Sequence, residues 1–158
     1  MPAKTDLSQL NCSLAHALAM VGDWWTLLII RDAFLGSCRF GEFQQSLGLA
    51  KNILTARLAH LVRHGILERH GTDKRPLYRL SDKGWDLVPA MVALLQWGDK
   101  WTSEGKPPMS LTDEHGRAIE RVRLATALGP IDAQDIKFHP GPGATERTRS
   151  FMTRKITR

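Results

Sequence analysis

Between Leu14 and Trp101 apolar residues recur mostly at helical spacing, and glycines divide them into segments. A first helix is expected from an N-cap at Asn11 through Leu14, Ala15, Leu18 and Ala19, stopped by Gly22. Asp23 caps a second, Trp24 to Leu35, closed by Gly36; its apolar run covers nearly the whole circumference, which places it in the centre of the core. Phe40, Phe43 and Leu47 share one face of a short third helix that Gly48 ends. In a fourth, Lys51 to Arg63, the residues Leu54, Leu58, Leu61 and Val62 form a buried stripe. Asn52, Thr55, Ala56, Ala59 and Arg63 lie opposite, with Lys51 near the start, and Gly65 supplies a left-handed cap.

The period then changes. Ile66-Leu67-Glu68-Arg69 begins a strand, Thr72-Asp73-Lys74-Arg75-Pro76 has turn chemistry, and Leu77-Tyr78-Arg79-Leu80 alternates as a half-buried strand does. Helix, helix, strand, basic turn and strand is the order of a winged helix-turn-helix, so the fold class is mainly α with a small β wing. Ser81-Asp82-Lys83-Gly84 opens a long helix through Trp85, Val88, Val92, Leu95 and Gly98 to Trp101, in which Pro89 either sits in the first turns or makes a kink. Trp85, Met91, Leu94, Leu95, Trp97 and Trp101 make that helix too apolar for a lone surface element. A two-fold dimer through it and the first helix solves the problem, and the expected interface is Leu14, Leu18, Trp85, Val88, Met91, Val92, Leu95 and Trp101.

Lys106-Pro107-Pro108 marks a boundary, giving a winged-helix DNA-binding and dimerisation domain over 1–105 and a small C-terminal extension over 106–158 that contains β structure. A hairpin is expected around Asp113-Glu114-His115-Gly116, while Ile119, Val122 and Leu124 leave helix and strand both open. Ile136-Lys137-Phe138 suits a last strand. After His139-Pro140-Gly141-Pro142-Gly143, the residues Arg147, Arg149, Arg154, Lys155 and Arg158 form a basic tail, in contact with DNA or solvated and disordered.

Charge sharpens the picture. The net charge is +6, yet residues 1–38 carry Lys4 and Arg31 against Asp6, Asp23 and Asp32, a net of −1. Residues 39–83 carry nine Lys and Arg against four acidic residues, a net of +5. Positive charge is thus concentrated on the unit that would face phosphates, as electrostatic attraction requires. No stretch reaches the ~20 apolar residues of a membrane span, and the polar start Met1-Pro2-Ala3-Lys4 has no apolar signal segment behind it. A soluble, cytoplasmic protein is expected. Cys12 and Cys38 are too few for a disulfide framework or a cysteine-based zinc site.

Catalytic patterns are missing. No serine stands in a nucleophile elbow and no glycine-rich phosphate loop occurs. His60 and His64 lie four apart on a helix, without the glutamate between them or the third ligand that a metalloprotease helix needs. No enzyme activity, cofactor or metal is expected.

Six segments, in order, carry a resemblance: Cys12-Ser13-Leu14-Ala15, Gly22 to Asp32, Arg39-Phe40-Gly41-Glu42-Phe43, Leu54-Thr55-Ala56-Arg57-Leu58, Gly65-Ile66-Leu67-Glu68-Arg69 and Tyr78 to Gly84. Over residues 12–101 the chain resembles the HxlR-type transcriptional regulators, related in architecture to MarR-type regulators. The resemblance implies a dimeric winged-helix repressor or activator that binds double-stranded DNA at a pseudo-palindromic operator. It makes Lys51 to Arg63 the recognition helix and Lys74-Arg75 the wing tip. The residues then expected at DNA are Arg39, Lys51, Asn52, Thr55, Arg57, His60, Arg63, Lys74 and Arg75. Asn52 suits adenine and Thr55 a base edge or thymine methyl. Arg39, Lys74 and Arg75 suit phosphates. Arg57 borders the buried stripe, which leaves a phosphate contact and a structural ion pair equally open.

Members of the family often carry an N-terminal cysteine that senses oxidants or electrophiles. Cys12 fits by its place in the first helical turn, where the dipole favours a thiolate, with His16 one turn later; the alternative is a buried cysteine acting as a small hydrophobe. A small-molecule or electrophile effector is a further expected partner, and Trp24, Trp25, Trp97 and Trp101 are candidates to line an apolar pocket at the dimer interface. The C-terminal extension is similar to one in some members that carries paired cysteines; residues 106–158 contain none, which excludes a cysteine-ligated zinc ribbon. A competing reading is a protein-interaction winged helix that does not bind DNA.

Overall fold

A computed structural model describes residues 6–156, with side chains through 153. The chain forms two compact units, one of Met20–Val122 and one that joins the residues up to Ala19 with those from Arg123 onward.

In the first unit the glycine and cap signals set the element ends. The helices are α1 (Ser13–Val21, which enters this unit at Met20), α2 (Trp24–Phe34), α3 (Phe40–Leu47) and α4 (Lys51–Arg63). The wing follows as β1 (Leu67–Thr72) and β2 (Arg75–Leu80), then α5 (Asp82–Asp86) and α6 (Val88–Thr102). Asp23 accepts a hydrogen bond from the Trp25 amide at 3.1 Å and so caps α2. Gly48 and Gly65 take the left-handed conformation that ends α3 and α4. The core gathers Ile29 and Ile30 of α2, Phe43 of α3, Leu54, Leu58 and Leu61 of α4, and Leu67 and Leu80 of the wing strands. α2 therefore has the central place its composition predicts, although Trp24 and Leu35 at its two ends are exposed.

β1 and β2 are antiparallel, with Leu67 opposite Leu80 and Thr72 opposite Arg75, so the tip is the two-residue turn Asp73-Lys74. The wing strands are longer and the turn shorter than the chemistry of Thr72 to Pro76 suggests. Gly71 has φ +80°, and a Cβ on it would come within 2.7 Å of the Arg75 carbonyl oxygen, a crowding that reserves the position for glycine. A third rung joins this sheet: Arg39 bridges Leu77, and the Tyr78 amide donates to the Cys38 carbonyl at 2.8 Å.

The long helix expected from Ser81 to Trp101 is broken at Leu87. Ser81 caps α5 by accepting from the Gly84 amide at 3.1 Å. Pro89 lies in the first turn of α6; it has no N–H to give the Trp85 carbonyl, and helix restarts where that missing donor costs nothing. Beyond α6 the expected hairpin is present, with Thr112 bridged to Ala118 around a turn in which Asp113 accepts from the His115 and Arg117 amides, both at 2.9 Å. Gln96 of α6 fastens this segment, donating to the Glu120 carbonyl at 3.0 Å and accepting from the Val122 amide at 2.8 Å.

The second unit corrects three expectations. Asn11 does not cap the first helix, whose first hydrogen bond runs from the His16 amide to the Cys12 carbonyl at 3.0 Å. Its side chain instead holds the distant chain: it donates to the Gly143 carbonyl at 3.1 Å and accepts from the Thr145 amide at 3.0 Å and the Thr148 hydroxyl at 2.8 Å. Ile136-Lys137-Phe138 is not a strand; the small sheet is β3 (Ala125–Thr126) with β4 (Gly129–Pro130), and Ile136 ends a 3-10 turn without a ladder partner. The basic tail is helical as α7 (Glu146–Ile156), begun by Thr145, whose hydroxyl accepts from the Thr148 amide at 3.3 Å. Arg147 and Arg149 lie on it, the side chains of Arg154 and Lys155 are beyond those described, and Arg158 lies outside the described residues. Among the described residues no single helix is long and apolar enough to cross a membrane.

Candidate nucleic-acid interface

Three sequence features put basic and polar side chains on one unit: α4, the wing, and the start of α3. On α4 the inward residues Leu54, Leu58 and Leu61 are buried, and the helical period then turns Lys51, Asn52, Thr55, Ala56, Ala59 and Arg63 outward, where all six are exposed. The small side chains of Thr55, Ala56 and Ala59 in the middle of this face let a groove floor come close to the backbone. Lys74 and Arg75 are exposed at the wing tip, and Asp73 beside them is bonded to Arg69 of β1, Nη2 to Oδ1 at 2.9 Å. That acid is thus engaged within the wing, and the same bond raises the affinity of the Arg69 guanidinium for its proton.

Arg39 is exposed at the head of α3. Glu42 accepts from the amides of Cys38 and Arg39 at 2.7 and 2.9 Å, and these bonds hold its carboxyl below the usual carboxylate range. The arrangement orders the chain on which Arg39 sits and leaves its guanidinium only loosely paired, 3.9 Å from Glu42.

Two residues expected at DNA are turned back onto the fold. Arg57 is half-buried, and its Nη2 lies 2.9 Å from Oδ2 of Asp23. In the free protein Arg57 thus makes the structural ion pair. His60 is half-buried and its Nε2 lies 2.8 Å from the Met20 carbonyl oxygen. His64, whose ring centroid is 4.4 Å from that of His60, resists protonation, because burial comes first and the adjacent His60 ring and the cations Lys83 and Arg63 add to it. No group of three or more metal-ligating side chains occurs among the described residues.

The apolar surface is divided more finely than its sequence pattern suggests. Val88 and Met91 pack against the core, and Val92 and Leu95 line a cavity between α2 and α6. The outward row of α6 is Leu94, Trp97 and Trp101, with Trp101 64% exposed; its i, i+3, i+7 spacing was legible, although the expected interface held only Trp101 of the three. Trp85 is exposed while resting edge-on against Phe34, centroids 5.8 Å apart. Leu14 and Leu18 are exposed on α1. This cavity is lined by Phe34 and aliphatic side chains with Arg31, and by none of Trp24, Trp25, Trp97 and Trp101, the residues expected around a pocket at the dimer interface. Cys12 is exposed and shares a cleft with Leu10, Phe138, Arg147 and Phe151.

Known proteins share both sequence and architecture with this chain. A relative from Mycobacterium tuberculosis, the uncharacterized HTH-type transcriptional regulator Rv3095, is 39% identical over 137 residues, 83% of this chain and 87% of that protein. The crystal structure of PA1607, a candidate transcription factor, superposes with a TM-score of 0.79 at 40% identity over 87% of this chain and 100% of that one. PA1374 of Pseudomonas aeruginosa, also a candidate transcription factor, gives 0.63 at 34% identity over 89% and 99%. The sequence pattern of the HxlR-like helix-turn-helix matches residues 20–106, which contain α2 through α6 and the wing. With that match across more than half its length, the chain belongs to the HxlR family of winged helix-turn-helix transcriptional regulators.

Proposed function

We propose that the protein is a homodimeric repressor that occupies a pseudo-palindromic operator, with α4 in the major groove and the wing tip on the flanking backbone. The observation that carries this reading is the outward row of α4, exposed and built from small and polar residues around Asn52 and Thr55. Asn52 and Thr55 read bases, Lys51, Arg63 and Arg39 position the helix, and Lys74 and Arg75 give sequence-independent affinity. Arg57 and His60 support α4 from behind. The uncovered rows Leu14-Leu18 and Leu94-Trp97-Trp101, with Trp85, seat a second copy, since apolar rows of this kind mark interaction surfaces.

DNA affinity is under chemical control in this reading, by a small molecule or by modification of Cys12, whose exposed thiol is open to oxidants and electrophiles. Selection from a random duplex library at fixed salt, with and without diamide, tests the whole. A recovered pseudo-palindrome is expected, lost on oxidation in wild type and kept in Cys12→Ser. A protein that enriches no sequence in either condition is a protein-interaction module instead.

A further inference from the structure

α2, α6 and the chain at Met109 and Leu111 line an apolar cavity of about 280 Å³ that opens to solvent. Leu28, Phe34, Val92 and Leu95 are among its walls, and Arg31 is the one lining residue with a polar head. Gln96 holds the third wall in place by its two bonds to the segment after Leu111. A dry apolar cavity of ~150 Å³ accommodates benzene, so this one suits a compound of about a dozen non-hydrogen atoms on the same scale.

Arg31 sets the charge of the guest. Its Nε and Nη2 both donate to Oδ1 of Asp32, at 2.9 and 2.6 Å, and Asp32 is 3% exposed with Oδ2 unpartnered. The pair carries no net charge, so an anionic guest would give up its hydration among apolar walls with no free countercharge to receive it. A cationic guest meets a guanidinium at the only polar point of the wall. A neutral molecule with one acceptor oxygen satisfies the remaining guanidinium N–H groups and leaves Asp32 paired.

The same helix reaches the DNA-facing side. At its start Asp23 bonds Arg57 of α4, so a guest that changes how α2 sits against α6 acts on the seat of the helix proposed to read bases. By linkage, guest and DNA then alter each other's affinity by the same factor. We infer that the cavity between α2 and α6 is an effector site for an uncharged one- or two-ring compound bearing a single carbonyl or phenolic oxygen. Its regulatory half rests on the proposed DNA binding; its occupancy does not.

Acetophenone and benzoate titrated into methyl-labelled full-length protein test the occupancy. Acetophenone is expected to bind, with shifts centred on Leu28, Val92, Leu95 and Met109, and benzoate at least tenfold more weakly. Val92→Phe, which fills the cavity, should weaken acetophenone at least tenfold; should that variant not fold, the shift map of the wild type decides alone. Shifts elsewhere, equal binding of benzoate, or uptake only at dilutions where the dimer dissociates overturn the site, the last because the cavity is then a seat for the second subunit. With the selected operator duplex, saturating acetophenone should change the Kd at least threefold. An unchanged Kd overturns the regulatory role and leaves DNA binding standing, whereas failure to bind any duplex defeats the DNA reading and leaves occupancy of the cavity intact.

Discussion

Asp23 uses its two carboxylate oxygens for two different helices: Oδ1 accepts from the Trp25 amide at the start of α2, and Oδ2 pairs with Arg57 on α4. One side chain thus begins the central helix and ties it to α4, the helix after next along the chain. Both partners are about one-third exposed, 33% for Asp23 and 35% for Arg57, so the charge pair itself is worth under about 1 kcal/mol. The cap adds about 1 kcal/mol.

The two contributions separate by substitution. Asp23→Asn keeps a capping oxygen and loses the charge, so urea unfolding should show a loss below about 1 kcal/mol; Asp23→Ala should lose about 1 kcal/mol more. Because Arg57 is engaged with Asp23, Arg57→Gln should lower stability and leave the slope of log Kd against log salt unchanged. A slope reduced by about one unit would place Arg57 on a phosphate instead.

The wing makes the opposite prediction. Lys74 and Arg75 are exposed and remote from the core, so replacing both with alanine should leave stability within about 0.5 kcal/mol. DNA affinity should fall for all sequences alike, and the salt slope should drop by about 1.8 units for two phosphate contacts. Gly71→Ala should weaken DNA binding with Lys74 and Arg75 still present, because its Cβ would press on the Arg75 carbonyl and displace the tip. Filter binding at several salt concentrations, with thermal unfolding as control, reads both effects.

What the sequence made legible follows from the range of the forces involved. Asp23, Gly48 and Gly65 act within one turn of themselves, and the element ends they predict are the observed ones. The stripe Leu54-Leu58-Leu61 needs only the helical period, and it orients the exposed row of α4 without further information. Long-range partners were not legible. Asn11 has the chemistry of a helix cap, and nothing near it in sequence reveals that its amide is satisfied by residues more than 130 positions away. Arg57 and His60 occupy helical positions between the inward and outward faces, where only the partners Asp23 and the Met20 carbonyl decide the side taken. The cavity was hidden for the same reason: the period shows that Val92 and Leu95 are apolar, and not that α2 stops short of filling the space beside them.

Asn11 offers a direct check on the second unit. Its side chain makes three bonds to the Gly143, Thr145 and Thr148 groups around the start of α7. All are exposed, so each is modest, and their common anchor makes the loss of one side chain the loss of all three. Asn11→Ala should speed amide exchange across Glu146–Ile156 severalfold and open the segment near Gly143 to limited proteolysis, with exchange in α4 and the wing strands unchanged. Unchanged protection of α7 would show that the clamp is not what orders it.

Glu42 gives the pH dependence. Amides of Cys38 and Arg39 bond its carboxylate and hold its pKa below the ordinary 4.5. A carboxyl whose folded value is depressed binds fewer protons folded than unfolded. Its contribution to stability is therefore complete above the unfolded value and disappears as pH falls through the folded one. Glu42→Gln should be less stable than wild type at neutral pH, and the gap should begin to close near pH 4.5 and vanish below the folded value. Melting temperatures of the two proteins across an acid series check this, since other acid effects act on both alike. A gap that stays constant from neutral to strong acid would mean that the carboxylate charge is not what fastens the head of α3, and that the shape of the Glu42 side chain alone orders the chain on which Arg39 sits.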